Sequence, residues 1–285
     1  MSEISLIDLH LHTTISDGTD SPSELLEKVK ETGIEMFSVT DHDAIKAGKI
    51  MQELLKKGDP LFVNGVEFSC SDEEGKYHIL GYGYDPEADS MRHLIKKGHN
   101  YRMTKLNARL DFLKSEFGFD FPQEELDRLH TLDNPGKPHI GNLMVKYGYS
   151  DTKNNAIRNY INRLRIADKH LRPEEAIEGI LGAGGIPVLA HPISGDGDQL
   201  ILGLELELRI KKLLNFGMKG LEVFYFGYTP KMRSELLKHA ERYNLYVTAG
   251  SDYHGGNKMI EMGETGLDEV DEIPDGMRRF IDLFC

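Results

Sequence analysis

Histidine and acidic side chains occur in this sequence at positions where metal ligands could lie. His10 and His12 stand two positions apart at the end of an apolar run, so both side chains project to one face of a strand. Seven further candidate ligands follow along the chain: Asp17, His42, Glu67, His78, His191, Asp252 and His254. Nitrogen and oxygen donors of this kind suit manganese, iron or zinc. A lone His-x-His pair is weak evidence, but the combination favours a metal centre over a purely structural role.

A metal centre would also solve an electrostatic problem. Three carboxylates and six imidazoles could not meet in one pocket without cations, because buried unpaired charges are costly and like charges repel. Divalent ions with neutral imidazoles would give the site a net positive charge, which complements a phosphate monoester dianion. Neighbouring ions would generate a hydroxide near neutral pH and would hold phosphoryl oxygens in the transition state.

The elements that would position these donors follow an α/β rhythm, in which apolar runs alternate with helical patterns. Strands are predicted over residues 4–9, 36–40, 61–68, 77–84, 186–190, 220–224 and 245–249. A helix is predicted after the N-cap Ser21, with Glu24 completing a capping box, and Gly33 stops it. In a parallel α/β barrel the carboxyl ends of the strands form one face, where most of the candidate ligands would meet.

Two more aspartates flank one of the candidate ligands. Asp41 and Asp43 stand on either side of His42, where the second predicted strand ends. We interpret both as hydrogen-bonding partners of the ligands or as turn formers, and not as ligands themselves.

The rhythm changes between residues 88 and 165, where the sequence is almost wholly helical and highly charged. Arg102, Lys105 and Arg109 are interleaved there with leucines in a helical pattern. We therefore predict a small helical domain, residues 88–165, inserted into a barrel made from residues 1–87 and 166–285. The alternative is that these helices belong to the barrel itself.

The composition restricts the class of partner and the compartment. With 34 Lys and Arg against 47 Asp and Glu, the formal charge of -13 disfavours binding along a nucleic-acid backbone, which depends on cationic contacts with phosphates. Short RNA ends and small anions stay possible if metals supply local positive charge. Cys70 and Cys285 form no framework pattern, and we find neither a leader nor an apolar segment of membrane length, so we expect a cytoplasmic protein.

Six short motifs together resemble the PHP (polymerase and histidinol phosphatase) family, and the similarity runs nearly from end to end. They are Asp8-Leu9-His10-Leu11-His12, Ser16-Asp17-Gly18, Thr40-Asp41-His42-Asp43, Gly65-Val66-Glu67, His191-Pro192 and Gly250-Ser251-Asp252-Tyr253-His254. The resemblance implies an α/β fold, a distorted (β/α)7 barrel, with a metal cluster at its C-terminal face. Together with the helical pattern, it predicts this barrel with an inserted small helical domain.

The resemblance also implies how the nine donors are shared among the ions. The first ion would be held by His10, His12, Glu67 and Asp252, the second by Glu67, His78 and His191, and the third by Asp17, His42 and His254. Two to three divalent ions are therefore expected, with Glu67 bridging two of them. The residues expected to serve in catalysis are Asp17, Glu67, His191 and His254. Because all nine donors are present, the sequence does not resemble a degenerate, metal-free member.

The expected reaction is hydrolysis of a small phosphate monoester, a nucleotide or a nucleoside bisphosphate. Similar stand-alone phosphatases carry an insertion with a basic-Pro-His element, which corresponds to Lys137-Pro138-His139 here. The basic residue in those relatives is typically arginine, and lysine offers a point charge in place of a bidentate fork. We expect Lys137 and His139 to contact the substrate. A solvated loop lysine is the alternative interpretation of Lys137.

Other activities fit parts of the same pattern. Related enzymes include 5′-to-3′ exonucleases that would act on short RNA, and histidinol-phosphate-type phosphatases. A metal-activated hydroxide also attacks carbonyls, so an amidohydrolase-like reaction on a substrate without phosphate is a further alternative. A non-catalytic metal-binding module is the alternative outside enzymes, although an intact ligand set would be superfluous for it.

Overall fold

The computed structural model describes residues 6–165, 169–195 and 199–285. Seven strands form one sheet in chain order: β1 Ile7–Leu11, β2 Met36–Val39, β3 Leu61–Asp72, β4 Gly75–Tyr82, β5 Ile186–Leu189, β6 Gly220–Tyr225 and β7 Tyr246–Gly250. Residues 4 and 5 of the first predicted strand lie outside the described residues, as does residue 166, the predicted start of the second barrel segment. Every predicted strand is confirmed within the described ranges, with bounds that shift by a few residues.

The first and last strands are joined through the residues that follow β7. Backbone hydrogen bonds of 2.9 Å run from Asp252 N to His10 O and from His12 N to Tyr253 O. These bonds produce a nearly closed barrel, which confirms the predicted fold class. They also place the segment after β7 directly against the end of β1, where several of the candidate ligands lie.

Ten α-helices occur within the described residues: α1 Pro22–Thr32, α2 Lys46–Leu54, α3 Asp89–Phe117, α4 Gln123–His130, α5 Lys137–Lys146, α6 Lys153–Asn159, α7 Pro173–Gly182, α8 Gly203–Asn215, α9 Pro230–Arg242 and α10 Asp275–Ile281. Helix α1 has the predicted ends. Glu24 accepts from Ser21 N at 2.8 Å in a capping box, and Gly33 adopts a φ of 78° that favours glycine. Within these ranges, none of the helices has the length and apolarity needed to span a bilayer.

One strand runs against the expected direction. The expectation of an all-parallel barrel is wrong for β4, which pairs antiparallel with both β3 and β5. The cause is local, because only residues 73 and 74 separate β3 from β4, and a connection of two residues makes a hairpin and cannot make a parallel crossover. As a result His78 lies near the start of β4, paired with Ser69 close to the carboxyl end of β3. Reversal of β4 therefore still brings His78 to the ligand-bearing face.

The segment from α3 to α6 has an apolar cluster of its own. Its buried members are Leu106, Leu113, Phe121, Leu129, Ile140, Leu143, Met144, Ala156 and Ile161. Helix α3 also contacts the barrel, because it packs against α7, where a Cβ at Gly179 would lie 2.3 Å from Leu94 Cδ1. The division into an inserted domain over residues 88–165 thus stays a prediction, although the helices themselves are where the sequence predicts them.

Candidate metal centre

Glu67 lies at the centre of the candidate site, on β3, with no exposed surface. Its Oε2 atom lies 3.2 Å from His10 Nε2, 3.3 Å from His12 Nε2 and 3.1 Å from His42 Nδ1. On the other side, Oε1 lies 2.7 Å from His78 Nδ1 and 3.2 Å from His191 Nε2. One carboxylate thus faces five imidazoles, while its bridging of two ions stays a prediction.

The structure brings the candidate donors together in three groups, each with its donor atoms within 4.8 Å of one another. The groups are His10, His12, Glu67 and Asp252; His12, Asp17, His42 and His254; and His42, Glu67 and His78. The first contains the residues predicted for the first ion, and the second contains those predicted for the third ion, with His12 in addition. His191 lies beside the last group, with Nε2 3.1 Å from His78 Nδ1. All nine donors therefore meet, while the assignment of each to one ion stays a prediction.

Several donor atoms of this cluster lack an ordinary partner. Four buried atoms of the cluster have no hydrogen-bond partner among the described residues: His10 Nε2, His12 Nε2, His42 Nδ1 and Glu67 Oε2. A buried polar atom without a partner is uncommon and costs about 1–3 kcal/mol. All four atoms belong to the same cluster, and cations bound there would satisfy them together. The residues therefore fit divalent metal ions.

The carboxylates of the cluster are held in their charged form. Burial raises the pKa of Glu67, but the neighbouring His42, His78 and His10 outweigh it and hold that pKa well below its usual range. Burial likewise raises the pKa of Asp252, which His10 and Lys258 hold well below its usual range. Charged carboxylates are the form that ligates a cation, so the charged state of Glu67 and Asp252 fits metal binding.

Backbone strain is concentrated at the ends of the strands that carry the cluster. Asp43, His191 and Asp252 have φ values of 49°, 28° and 60°. A positive φ is uncommon outside glycine and persists where the surrounding structure imposes it, often at functional sites. At these three positions the backbone has a conformation that a residue other than glycine would not adopt by local preference alone.

The aspartates that flank His42 have the supporting roles that the sequence indicates. Asp41 accepts hydrogen bonds from Thr13 N at 2.8 Å and from Ser16 Oγ at 2.6 Å, which fixes the loop before Asp17. Asp43 accepts from Ser69 N at 3.0 Å and stands in the turn after β2. Neither aspartate belongs to the three donor groups.

Sequence reasoning missed Glu222, a fully buried carboxylate on β6. Its Oε1 lies 2.8 Å from His10 Nδ1, and its Oε2 accepts the backbone N–H of His191 at 2.7 Å. The available signal was an acidic residue inside the otherwise apolar run of residues 220–225. A buried charge in a barrel strand requires a specific partner, and that alone could have indicated its place at the site.

A cavity of about 250 Å³ opens beside the cluster. Asp17, His42 and His78 form one side of it, and the cations around it are Lys76, Arg102, Lys105, Arg109 and Lys137. Three of these cations, at 102, 105 and 109, are spaced three and four residues apart, so they share one face of α3. That spacing was visible in the sequence, but without the fold it indicated only a charged helix surface.

The structure separates the two residues predicted to contact the substrate. Lys137 lines the cavity beside the cluster, and its Nζ donates to Asn162 Oδ1 at 2.8 Å. His139 lines a different cavity within the helical segment, and its Nδ1 accepts from Gly136 N at 3.1 Å at the start of α5. A substrate contact by Lys137 therefore has geometric support. The contact predicted for His139 stays a prediction, and its charged neighbours Asp17 and Arg102 line the cavity beside the cluster.

The PHP domain model matches residues 8–165 of this chain, which is more than half of its length. The chain belongs to the PHP domain family. It is 29% identical over 271 residues to a 3′,5′-nucleoside bisphosphate phosphatase of Chromobacterium violaceum, covering 91% of each chain. It is also 30% identical to a phosphoribosyl 1,2-cyclic phosphate 1,2-diphosphodiesterase of Eggerthella lenta, covering 87% of this chain and 94% of that one.

A solved structure from Bifidobacterium adolescentis agrees with this assignment. That protein, described as a candidate metal-dependent phosphoesterase, is 27% identical and superposes with a TM-score of 0.81 over 97% of this chain and 95% of its own. The predicted family, fold class and enzyme class are confirmed: this PHP protein is a metal-dependent phosphoesterase.

Proposed function

We propose that this PHP phosphoesterase hydrolyses a small phosphate monoester, such as a nucleotide or a nucleoside bisphosphate, with the scissile phosphate at the metal cluster. The observation that carries the proposal is the cavity beside the cluster, with five cationic side chains around it. A chain of formal charge -13 would repel an anion at long range, so a concentrated group of cations indicates a specific anionic ligand.

The arrangement of the cavity supports a substrate with two anionic groups. One phosphate would lie against the donor cluster, and the second group would face the cations of α3 and α5. Lys105 is only 6% exposed, so its charge is directed into the interior and not into bulk water. Arg102 donates to Asp43 Oδ2 at 2.8 Å and to Ser69 Oγ at 2.8 Å, which holds its guanidinium at the cavity wall. A second phosphate is the group that such a wall would recognise best.

The nine donors of the cluster would hold two to three divalent ions, with manganese, iron or zinc as the candidates that suit them. Such ions supply a water of lowered pKa and neutralise charge that develops on phosphoryl oxygens. The protein supplies the placement of the substrate. Asp17, Glu67, His191 and His254 are the residues that we propose for catalysis, and His254 Nε2 lies 3.2 Å from Asp17 Oδ1 at the cavity side of the cluster.

The helical segment would limit the size of the substrate. Lys137 on α5 and Arg102, Lys105 and Arg109 on α3 reach the cavity from the segment that we predict to be an inserted capping domain. These four residues line the cavity of about 250 Å³ together with residues of the cluster. A small phosphorylated molecule or the end of a short RNA fits such a space better than a long strand does.

The proposal is tested on a panel of esters with added Mn²⁺, by release of inorganic phosphate from monoesters and by release of nucleotides from oligonucleotides. The panel contains nucleoside monophosphates, nucleoside bisphosphates, histidinol phosphate and oligonucleotides of increasing length. We expect the highest kcat/KM for a nucleoside bisphosphate, because among the small esters of the panel it alone presents a second phosphate to the cations. Preference for histidinol phosphate, or efficiency that rises steadily with oligonucleotide length, would contradict the proposed substrate class and leave the phosphoesterase assignment intact.

A further inference from the structure

Glu222 contacts two of the candidate ligand segments at once without being one of the nine donors. It lies on β6 with no exposed surface, below the donor cluster. Its Oε1 is 2.8 Å from Nδ1 of His10, at the end of β1, and its Oε2 accepts the N–H of His191, just after β5. Both carboxylate oxygens are therefore hydrogen-bonded, one to the end of β1 and the other to the segment after β5.

The contact with His10 determines which ring nitrogen can ligate a metal. The carboxylate of Glu222 accepts a hydrogen bond from Nδ1, so Nε2 is the nitrogen of His10 that faces the cluster. It lies 3.2 Å from Glu67 Oε2 and 3.5 Å from Asp252 Oδ1. A metal ion held there would bind His10 through Nε2, with the ring proton on Nδ1.

The contact with His191 acts on the backbone. The φ of 28° at His191 lies in a region that non-glycine residues rarely occupy, and the hydrogen bond from its N–H to Glu222 holds the chain at that point. The same turn carries the His191 imidazole to 3.2 Å from Glu67 Oε1. Glu222 thus fixes a ring on one side of the cluster and a backbone turn on the other.

A glycine beside Glu222 leaves room for its contact with His10. A Cβ on Gly250, at the end of β7, would lie 2.4 Å from Glu222 Oε1 and 2.3 Å from His10 Cβ. Only glycine at this position leaves room for the carboxylate and the imidazole to meet. The neighbouring strand is therefore adapted to the pair formed by Glu222 and His10.

We propose that Glu222 is a positioning residue of the metal centre, which sets the tautomer of His10 and the backbone turn of His191 and thereby strengthens binding at the ions that those two histidines hold. The proposal rests on the metal-binding role of the cluster. It predicts that loss of the Glu222 carboxylate affects the donor groups of His10 and His191 and spares the group formed by His12, Asp17, His42 and His254.

The first experiment is a calorimetric titration of metal-free protein with Mn²⁺, in the wild type and in Glu222→Gln. The amide can accept only one of the two hydrogen bonds, so we expect some Mn²⁺ equivalents to bind about 10- to 100-fold more weakly, as is typical when a group that orients a ligand is lost. At least one equivalent should keep its wild-type affinity. Thr248→Val is the matched control, because Thr248 pairs with Glu222 in the β6–β7 register and its Oγ1 has no hydrogen-bond partner among the described residues.

The second experiment does not depend on the folding of a variant. In zinc-loaded wild-type protein with ¹⁵N-labelled histidine, NMR distinguishes the protonated nitrogen from the ligating nitrogen of each ring. We expect His10 to carry its proton on Nδ1 and to bind zinc through Nε2. The opposite tautomer, or wild-type Mn²⁺ affinities for every equivalent in folded Glu222→Gln, would overturn the role of Glu222. A wild-type protein that binds no Mn²⁺ would instead contradict the metal centre itself.

Discussion

The Oε2 atom of Glu67 lies 3.2 Å from the Nε2 atom of His10, and both atoms are buried without a hydrogen-bond partner among the described residues. A divalent cation bound at the cluster would satisfy both atoms. The metal content of the protein is therefore the first property to measure.

We expect the protein, prepared without chelator, to contain about two to three equivalents of Mn, Fe or Zn, the metals that suit nitrogen and oxygen donors. Chelation should abolish phosphate release, and added Mn²⁺ should restore it. Elemental analysis, with phosphatase assays before and after chelation, measures both properties. Folded protein with only a trace of metal after incubation with Mn²⁺, Fe²⁺ or Zn²⁺ would be incompatible with the proposed centre.

Glu67→Gln should lower turnover by at least about 100-fold, since even the loss of a group that only orients a ligand costs about 10–100-fold. The substitution removes the negative charge that faces five imidazoles while it keeps the size of the side chain. Circular dichroism should show an intact fold, and elemental analysis should show less bound metal. Glu178→Gln, at an exposed site on α7, is the control and should keep the wild-type turnover. Near-normal turnover and metal content in Glu67→Gln would mean that the cluster is assigned wrongly.

Lys137→Ala should raise KM more than it lowers kcat, because a cation outside the donor cluster contributes mainly to binding of the substrate. The expected loss is about 1.5–3 kcal/mol if Lys137 makes a charged hydrogen bond that is shielded from water. Lys114→Ala is the matched control, since Lys114 is exposed on α3 and pairs with Asp120 at 3.0 Å. Steady-state kinetics on the best small ester gives the test. An unchanged KM in Lys137→Ala would show that this lysine is a solvated loop residue.

His139 should make the protein less stable in mild acid. Burial lowers the pKa of His139, and of its two charged neighbours Asp17 raises that pKa while Arg102 lowers it, so the net pKa is below the usual 6.5. Between pH 6.5 and the lower folded pKa, the unfolded chain binds the proton and the folded chain does not. The free energy of unfolding therefore falls as the pH decreases through this window, and the penalty is absent above it.

The variant His139→Gln tests this pH dependence. Glutamine at the third position of α5 can still accept from Gly136 N, so the start of the helix is kept. Urea unfolding of metal-free protein at pH 7.5 and pH 5.5 should show a smaller loss of stability in His139→Gln than in the wild type. His93→Gln, at an exposed site on α3, is the control. Equal losses in His139→Gln and the wild type would show that His139 does not titrate below its usual range.

Much of the fold followed from local patterns. The capping box at Ser21 and Glu24 and the glycine at position 33 predicted both ends of α1, because helix ends depend on neighbouring residues. The direction of β4 could not be predicted from local patterns. The predicted end of β3 at residue 68 left eight residues before the next strand, whereas β3 extends to Asp72 and only a hairpin connects it to β4.

The donor set was likewise predictable, while its surroundings were not. Histidines and carboxylates at strand ends indicated a metal centre, since strand ends share one face of a barrel. Arg102, Lys105 and Arg109 were visible as a helical pattern, but a pattern does not say whether a helix face meets water or a cavity. His139 and Lys137 belong to one three-residue motif, yet the two residues line different cavities.

The sequence by itself determined the chemistry of this protein: the kinds of donor, their order and the strands that carry them. The tertiary structure alone decided which atoms meet. Glu222 and His10 are 212 positions apart, and they lie 2.8 Å from each other only because β6 and β7 bring that carboxylate back against β1. The sequence gives the type of each residue directly. Distances between residues far apart in the chain depend on strand order, on the direction of each strand and on the closure of the barrel.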